Sequence, residues 1–173
     1  FLQVARTYLV VPWGEEGMAL IDQHALHERV LYEKLQRGLA AAGVARQRLL
    51  QPAVVELDGE VKEILLEQGE VLGRLGLEVE DFGDRALAVT TSPLPLAGAD
   101  PGKLLEEVAE SLLAGRGARS AALEDRIARA ACRAAIKAGC RLDRAEVEDL
   151  VRLALETEKP GHCPHGRPTL VTF

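Results

Sequence analysis

The stretch "MALIDQHALHERVLYEKLQRGLAAA", residues 18–42, changes its period part-way along. Met18 to Ile21 is a short apolar run that reads as a strand. From about His24 to Ala42 the apolar residues fall at Leu26, Val30, Leu31, Leu35 and Leu39, the three-and-four spacing of a helix with one buried face. A further strand-like stretch, residues 3–11, lies upstream across the turn-like "PWGEEG". Strands and helices mix along the chain without a regular βαβ alternation, so the expected class is α+β.

The rhythm changes again downstream. "QRLLQP" (47–52) closes the first unit, since the residue before a proline is pushed away from helix. "AVVEL" reads as a strand and 59–74 as a helix. "GLEVEDFGDRALAVTT" reads as a hairpin turning at Gly83-Asp84. Asp100-Pro101 supplies an N-cap and a first helical residue for a helix reaching about Ala114. "GRGARS" follows as the most linker-like stretch. An Ala-rich helix is expected over 121–138, stopped by Gly139. Asp143 with Glu146 has the spacing of a capping box for a helix over 144–157, and the chain closes on "KPGHCPHGRP" and a strand, "TLVTF".

Composition narrows the class. The 173 residues suffice for one domain or two small lobes, and 47% hydrophobic with 28% charged content is that of a soluble globular chain. No apolar run approaches the roughly 18 residues of a membrane helix, and no signal-peptide pattern opens the chain. The abrupt start on "FLQVARTYLVV" suggests a piece of a longer protein. Three cysteines do not make a disulfide framework, which points to reduced, cytosolic thiols. The absence of Asn, a single Met, and 16 Arg against 5 Lys fit a thermophile, or simply a biased genome. A net charge of -6 argues against tight autonomous binding of DNA, which needs clustered cations.

Two pieces of sequence could carry chemistry. His24 and Glu28 are four apart on the expected helix, so one imidazole and one carboxylate share a face, with Asp22 just before them. Such a pair is either a metal half-site or an ordinary solvated helix face. Cys163 and His165 flank Pro164, whose fixed φ stiffens the loop. They make a half-site for zinc, or a buried Cys beside a surface His; the usual zinc-finger spacing is absent. Together the pieces offer enough ligands to close a tetrahedral zinc site, or to leave positions open around more than one ion.

"DQHALHERVLYE" (22–33) resembles the DQHA-x2-E-x4-E motif of the MutL mismatch-repair endonucleases, matching at Asp22, Gln23, His24, Ala25, Glu28 and Glu33. "ACRAAIKAG" (131–139) resembles that family's second block and "CPHGRP" (163–168) its third. "QRLLQP" is similar to the Q-x-x-L/I-x-P segment with which bacterial members engage the sliding clamp. All four occur in the family's order and span nearly the whole chain. The chain is therefore identified as resembling the C-terminal domain of a bacterial MutL, lacking its N-terminal ATPase domain and linker.

The resemblance implies an endonuclease that nicks one strand of duplex DNA with manganese or a similar ion, with zinc in the site. It implies a homodimer, partnership with the sliding clamp, the ATPase domain and a mismatch-recognition protein, and a cytoplasmic, nucleoid-associated location. A dimerisation lobe would comprise residues 1–50 plus 116–173, with a smaller outer lobe, 51–115, inserted between them. The alternative is a non-catalytic dimerisation and clamp-docking module with a structural zinc.

Residue by residue, Asp22 and Glu28 are the expected catalytic groups. Asp22, His24, Glu28, Cys132, Cys163 and His165 are the expected metal ligands, though Cys132 reads equally as a small buried helix residue between Ala128 and Ile136. Glu33 lies nine residues past His24, about 180° around an ideal helix, so a structural or outer role is expected. Arg167 reads as a phosphate ligand or as a brace for its loop. Gln23 is a motif position without an assigned role. Gln47, Leu50 and Pro52 are the expected clamp contacts, or else a plain connector. His27, His162 and Cys140 fall outside the matched positions.

Overall fold

The period-two pattern of residues 8–22 builds the first sheet. In a computed structural model describing residues 1–114, 120–135 and 141–173, the chain opens with β1 (Leu2–Val4), β2 (Tyr8–Trp13), β3 (Gly17–Asp22) and α1 (Gln23–Ala40). It continues through β4 (Arg46–Glu56), α2 (Gly59–Glu67), α3 (Gly69–Leu75), β5 (Val79–Asp81) and β6 (Ala86–Pro93). A 3-10 turn (Leu94–Leu96) leads to α4 (Pro101–Ala114), α5 (Ser120–Ala135), α6 (Arg144–Leu155) and β7 (Leu170–Thr172). The α+β expectation holds. By packing, the chain divides into Phe1–Glu33 with Ile136–Phe173, and Lys34–Ala135.

In the first unit the strands form one antiparallel sheet in the order β1-β2-β3-β7. Leu9 and Val11 of β2 and Ala19 and Ile21 of β3 alternate onto one face. There they meet Leu26 and Val30 of α1 and Val147, Leu150 and Ala154 of α6. Full burial of each large aliphatic side chain contributes about 1.5–3 kcal/mol. Gly17 is required where β7 closes the sheet: a Cβ there would lie 2.7 Å from the Trp13 carbonyl oxygen and 2.9 Å from that of Phe173. The capping box of α6 forms as its spacing predicts, Glu146 N donating to Asp143 Oδ1 and Asp143 N to Glu146 Oε2.

One expected strand is broken. Residues 3–11 were expected as a single strand, but Ala5 and Arg6 take φ values of +50° and +51° and turn the chain between β1 and β2. Two central residues at positive φ make the turn type that matches strand twist, usually with glycine or asparagine. Local hydrogen bonds hold it without them: Thr7 N donates to Val4 O at 3.1 Å, and Thr7 Oγ1 to Ala5 O at 3.0 Å.

The second unit carries a three-stranded antiparallel sheet, β4-β6-β5, with β6 central. Buried Leu104, Leu105, Val108 and Leu112 give α4 its inner face. Helix α5 packs along α4, where Arg126 Nη2 donates to Ser111 O at 2.9 Å. The helix expected over 59–74 is two helices that meet at Gln68, and Asp100 caps α4 through Gly102 N and Lys103 N. The units are thus drawn differently from the lobes expected at 1–50 plus 116–173 and 51–115. Strand β4 begins pairing with β6 at Arg46, and α5 belongs with α4. Residues 115–119 of the expected linker, the Gly139 stop and Cys140 lie outside the described residues. Among the described residues no helix is long and apolar enough to cross a membrane.

Candidate metal centre

The junction of β3 and α1 places the first block. Asp22 ends β3, its N–H donating to Thr169 O at 2.9 Å. Its carboxylate Oδ1 accepts from His24 N and Ala25 N, both at 3.0 Å. Asp22 is therefore the N-cap of α1, satisfying two of the helix's orphan amides. Gln23, the next residue, is buried and faces the β1–β2 turn. Its Nε2 donates to Arg6 O at 2.6 Å, its N–H to Thr7 O at 3.0 Å, and its Oε1 accepts from Gln3 Nε2 at 2.8 Å. This motif position fastens the positive-φ turn to the start of α1.

Helical spacing then stacks His24 below Glu28. Glu28 Oε1 lies 3.5 Å from His24 Nε2, and Glu28 Oε2 lies 3.3 Å from His165 Nδ1. The carboxylate is buried, with 4% of the residue exposed, and no guanidinium or ammonium pairs with it among the described residues. Cys163, also buried, completes a group with Glu28 and His165 whose ligand atoms all lie within 4.8 Å of one another. Asp22 is not a member of that group.

The loop carrying Cys163 and His165 is a turn written into its sequence. Cys163 O accepts from Gly166 N at 3.0 Å, and Cys163 N donates to Arg167 O at 2.8 Å. Pro164 occupies the position of the turn that favours a fixed negative φ, and Gly166 the left-handed one at φ +85°. His162 and Pro168 bridge at its base. The loop therefore presents Cys163 and His165 from a tightly closed backbone.

The donor set fits a metal ion. One thiol sulfur, one buried carboxylate and imidazole nitrogens are the ligand chemistry of zinc and its neighbours. His24, like Asp22, is outside the group of Glu28, Cys163 and His165: its Nε2 faces Glu28, and its Nδ1 is buried with no hydrogen-bond partner among the described residues. The buried Glu28 carboxyl is flanked by two imidazoles, His24 and His165, which are themselves common metal ligands.

The remaining expected residues are not members of that group. Glu33 accepts from Glu158 N at Oε2 (3.0 Å) and from Lys159 N at Oε1 (3.3 Å), holding the backbone that leads to the Cys163 loop. Arg167 is exposed, and it is its carbonyl that closes the loop. His27 and His162 are exposed. Cys132 is buried within α5, in the second unit. The expected clamp segment also belongs to the second unit. Gln47 pairs with Ser92 in β4, but the register slips between Arg48 and Ala53, leaving Leu50 fully exposed and Pro52 exposed on the bulge. The expected connector is thus part of an edge strand. Arg29, which the motif match leaves without a role, donates from Nε to His162 O at 2.6 Å; its four-residue spacing from Glu33 is the signal the sequence offers for it.

A family model described as the MutL C terminal dimerisation domain matches residues 1–142. The chain belongs to that MutL family. The DNA mismatch repair protein MutL of Azorhizobium caulinodans is 45% identical over 175 residues, covering 99% of this chain and 28% of that protein. MutL of Rhodopseudomonas palustris is 42% identical over 98% of this chain, and that of Caulobacter vibrioides 39% over 98%. The chain spans about 28% of the length of such MutL relatives. The MutL family match takes in the first block and the Gln47–Pro52 segment, while the alignments with the relatives extend across nearly the whole chain.

Proposed function

We propose that this domain is the metal-dependent nicking module of a mismatch-repair MutL, cutting one strand of duplex DNA as a homodimer. The observation that carries the reading is the meeting of Glu28, Cys163 and His165, from opposite ends of the chain, with ligand atoms within 4.8 Å. Glu28, Cys163 and His165 would hold the cation, zinc or manganese, with the unpaired Nδ1 of His24 and the outer oxygen of Asp22 as further donors. Bound there, a divalent ion supplies a Lewis acid for the phosphate and an acidified water as nucleophile. Asp22 Oδ1 stays with the helix cap, which orients its carboxylate beside the first turn of α1.

The same reading makes the bulge of β4 the docking segment for the sliding clamp, through Gln47, Leu50 and Pro52. An exposed leucine on a bulged edge strand, with a proline that leaves an unpaired ladder position, is a suitable peptide-like contact. Because the chain is acidic, the clamp, the ATPase region of the same protein and a mismatch-recognition partner would hold DNA against it. The setting would be the bacterial cytoplasm, at the nucleoid.

Conversion of supercoiled plasmid to nicked circles in manganese, with and without clamp, tests the assignment. Asn caps a helix as well as Asp does, so Asp22→Asn separates chemistry from folding. Asp22→Asn and Glu28→Gln are expected to reduce nicking by more than the roughly 10–100-fold typical of groups outside the ligand sphere. Full activity in Asp22→Asn would defeat the catalytic reading. A second reading, a dimerisation and clamp-docking module with structural zinc, is favoured by the burial of Cys163. It predicts zinc that resists chelators and no nicking stimulated by manganese.

A further inference from the structure

We infer that Arg29 is a positioning residue for the metal-binding loop, acting through the peptide that precedes Cys163. The inference rests on the metal-centre reading above. Arg29 Nε donates to His162 O at 2.6 Å, while the N–H at the other end of that peptide, on Cys163, donates to Arg167 O at 2.8 Å. Both ends of the 162–163 peptide unit are therefore fixed. Because a peptide unit is planar, fixing both ends sets the N–Cα bond of Cys163. Cys163 O, accepting from Gly166 N at 3.0 Å, holds the following peptide, and the two together set the direction in which the Cys163 side chain leaves the backbone.

Arg29 is itself held. Its side chain is only 11% exposed, Nη1 lies 3.9 Å from Glu33 Oε1, and the guanidinium sits over the Tyr32 ring at 5.5 Å from the centroid. Glu33 in turn accepts from the amides of Glu158 and Lys159, upstream in the same loop segment. Helix α1 thus bears Glu28 as a ligand and, one residue later, the donor that aims Cys163 at it. A planar guanidinium donating along a fixed direction suits this task better than a flexible ammonium.

The test uses cobalt as the metal probe on the 173-residue chain. A thiolate-to-cobalt charge-transfer band reports Cys163 in the coordination sphere, and competition with a chelator reports affinity. Arg29→Met, which keeps the apolar stem, is expected to bind cobalt about 10–100-fold more weakly and to lose much of the band, while circular dichroism of the metal-free chain is unchanged. Arg29→Lys is expected to recover part of both. Wild-type affinity and band in Arg29→Met would overturn the inference. So would loss of the metal-free fold in Arg29→Met or in both variants, which would make Arg29 a residue of the fold alone. Absence of the band in the wild-type chain would instead sink the metal-centre reading itself.

Discussion

Individual side chains at the start of α1 serve fold and site together. Asp22 caps the helix that carries His24 and Glu28, so losing the cap would disturb both proposed ligands. Gln23 is the clearer case. From a buried position it hydrogen-bonds to Gln3, Arg6 and Thr7 and secures a turn in which Ala5 and Arg6 sit at positive φ. Each such non-glycine residue costs of the order of 1 kcal/mol and persists only where its surroundings determine it. Gln23→Ala removes the donor to Arg6 O and the acceptor for Gln3. It is expected to destabilise the chain by about 1–3 kcal/mol in urea unfolding. An unchanged midpoint would mean that the turn holds itself. The motif's glutamine is then read as a structural fastener of the junction rather than as a ligand.

At the scale of elements, the features legible in the sequence were those with local causes. The period change into α1, the Asp100 and Asp143 caps and the stiffening of the loop at Pro164 are each determined by a few neighbouring residues. What escaped depended on contacts distant in sequence. The turn at Ala5-Arg6 is tied to Gln23, and the bulge of β4 depends on pairing with β6. For the site, spacing offered Cys163 and His165 as a pair, but only the fold brings them to Glu28. The bulge itself supports a prediction. Because Leu50 is fully exposed, Leu50→Asp is expected to leave thermal stability unchanged, within about 0.5 kcal/mol. Under the proposed docking it should weaken binding to a bacterial sliding clamp at least tenfold, about 1.4 kcal/mol, in a surface-capture assay. Equal affinity for wild type and variant would make the segment a plain bulge.

The molecule as a whole leaves one feature of its first unit unexplained by its own core. Antiparallel sheets with one wet face normally alternate apolar inside and polar outside. Here Leu2, Val10, Leu20 and Val171 are directly paired across all four strands, on the face opposite Leu9 and Ile21. Val4, Tyr8 and Met18 extend this apolar face, and Leu2, Val4, Tyr8, Met18 and Val171 are all exposed in the single chain. A contiguous apolar patch of this kind marks a contact surface, and the proposed homodimer would cover it with a second copy. In a two-fold dimer each substitution occurs twice across the interface. Met18→Asp would bury two unpaired carboxylates, a penalty of several kcal/mol per ion. Since Met18 is half exposed in the single chain, the fold should survive. We therefore expect Met18→Asp to elute with the mass of one chain where the wild type elutes with that of two, its dimer weakened by at least about 100-fold. Unchanged dimer mass in Met18→Asp would move the interface away from this sheet, and a wild-type chain that stays monomeric at high concentration would remove the homodimer from the proposal.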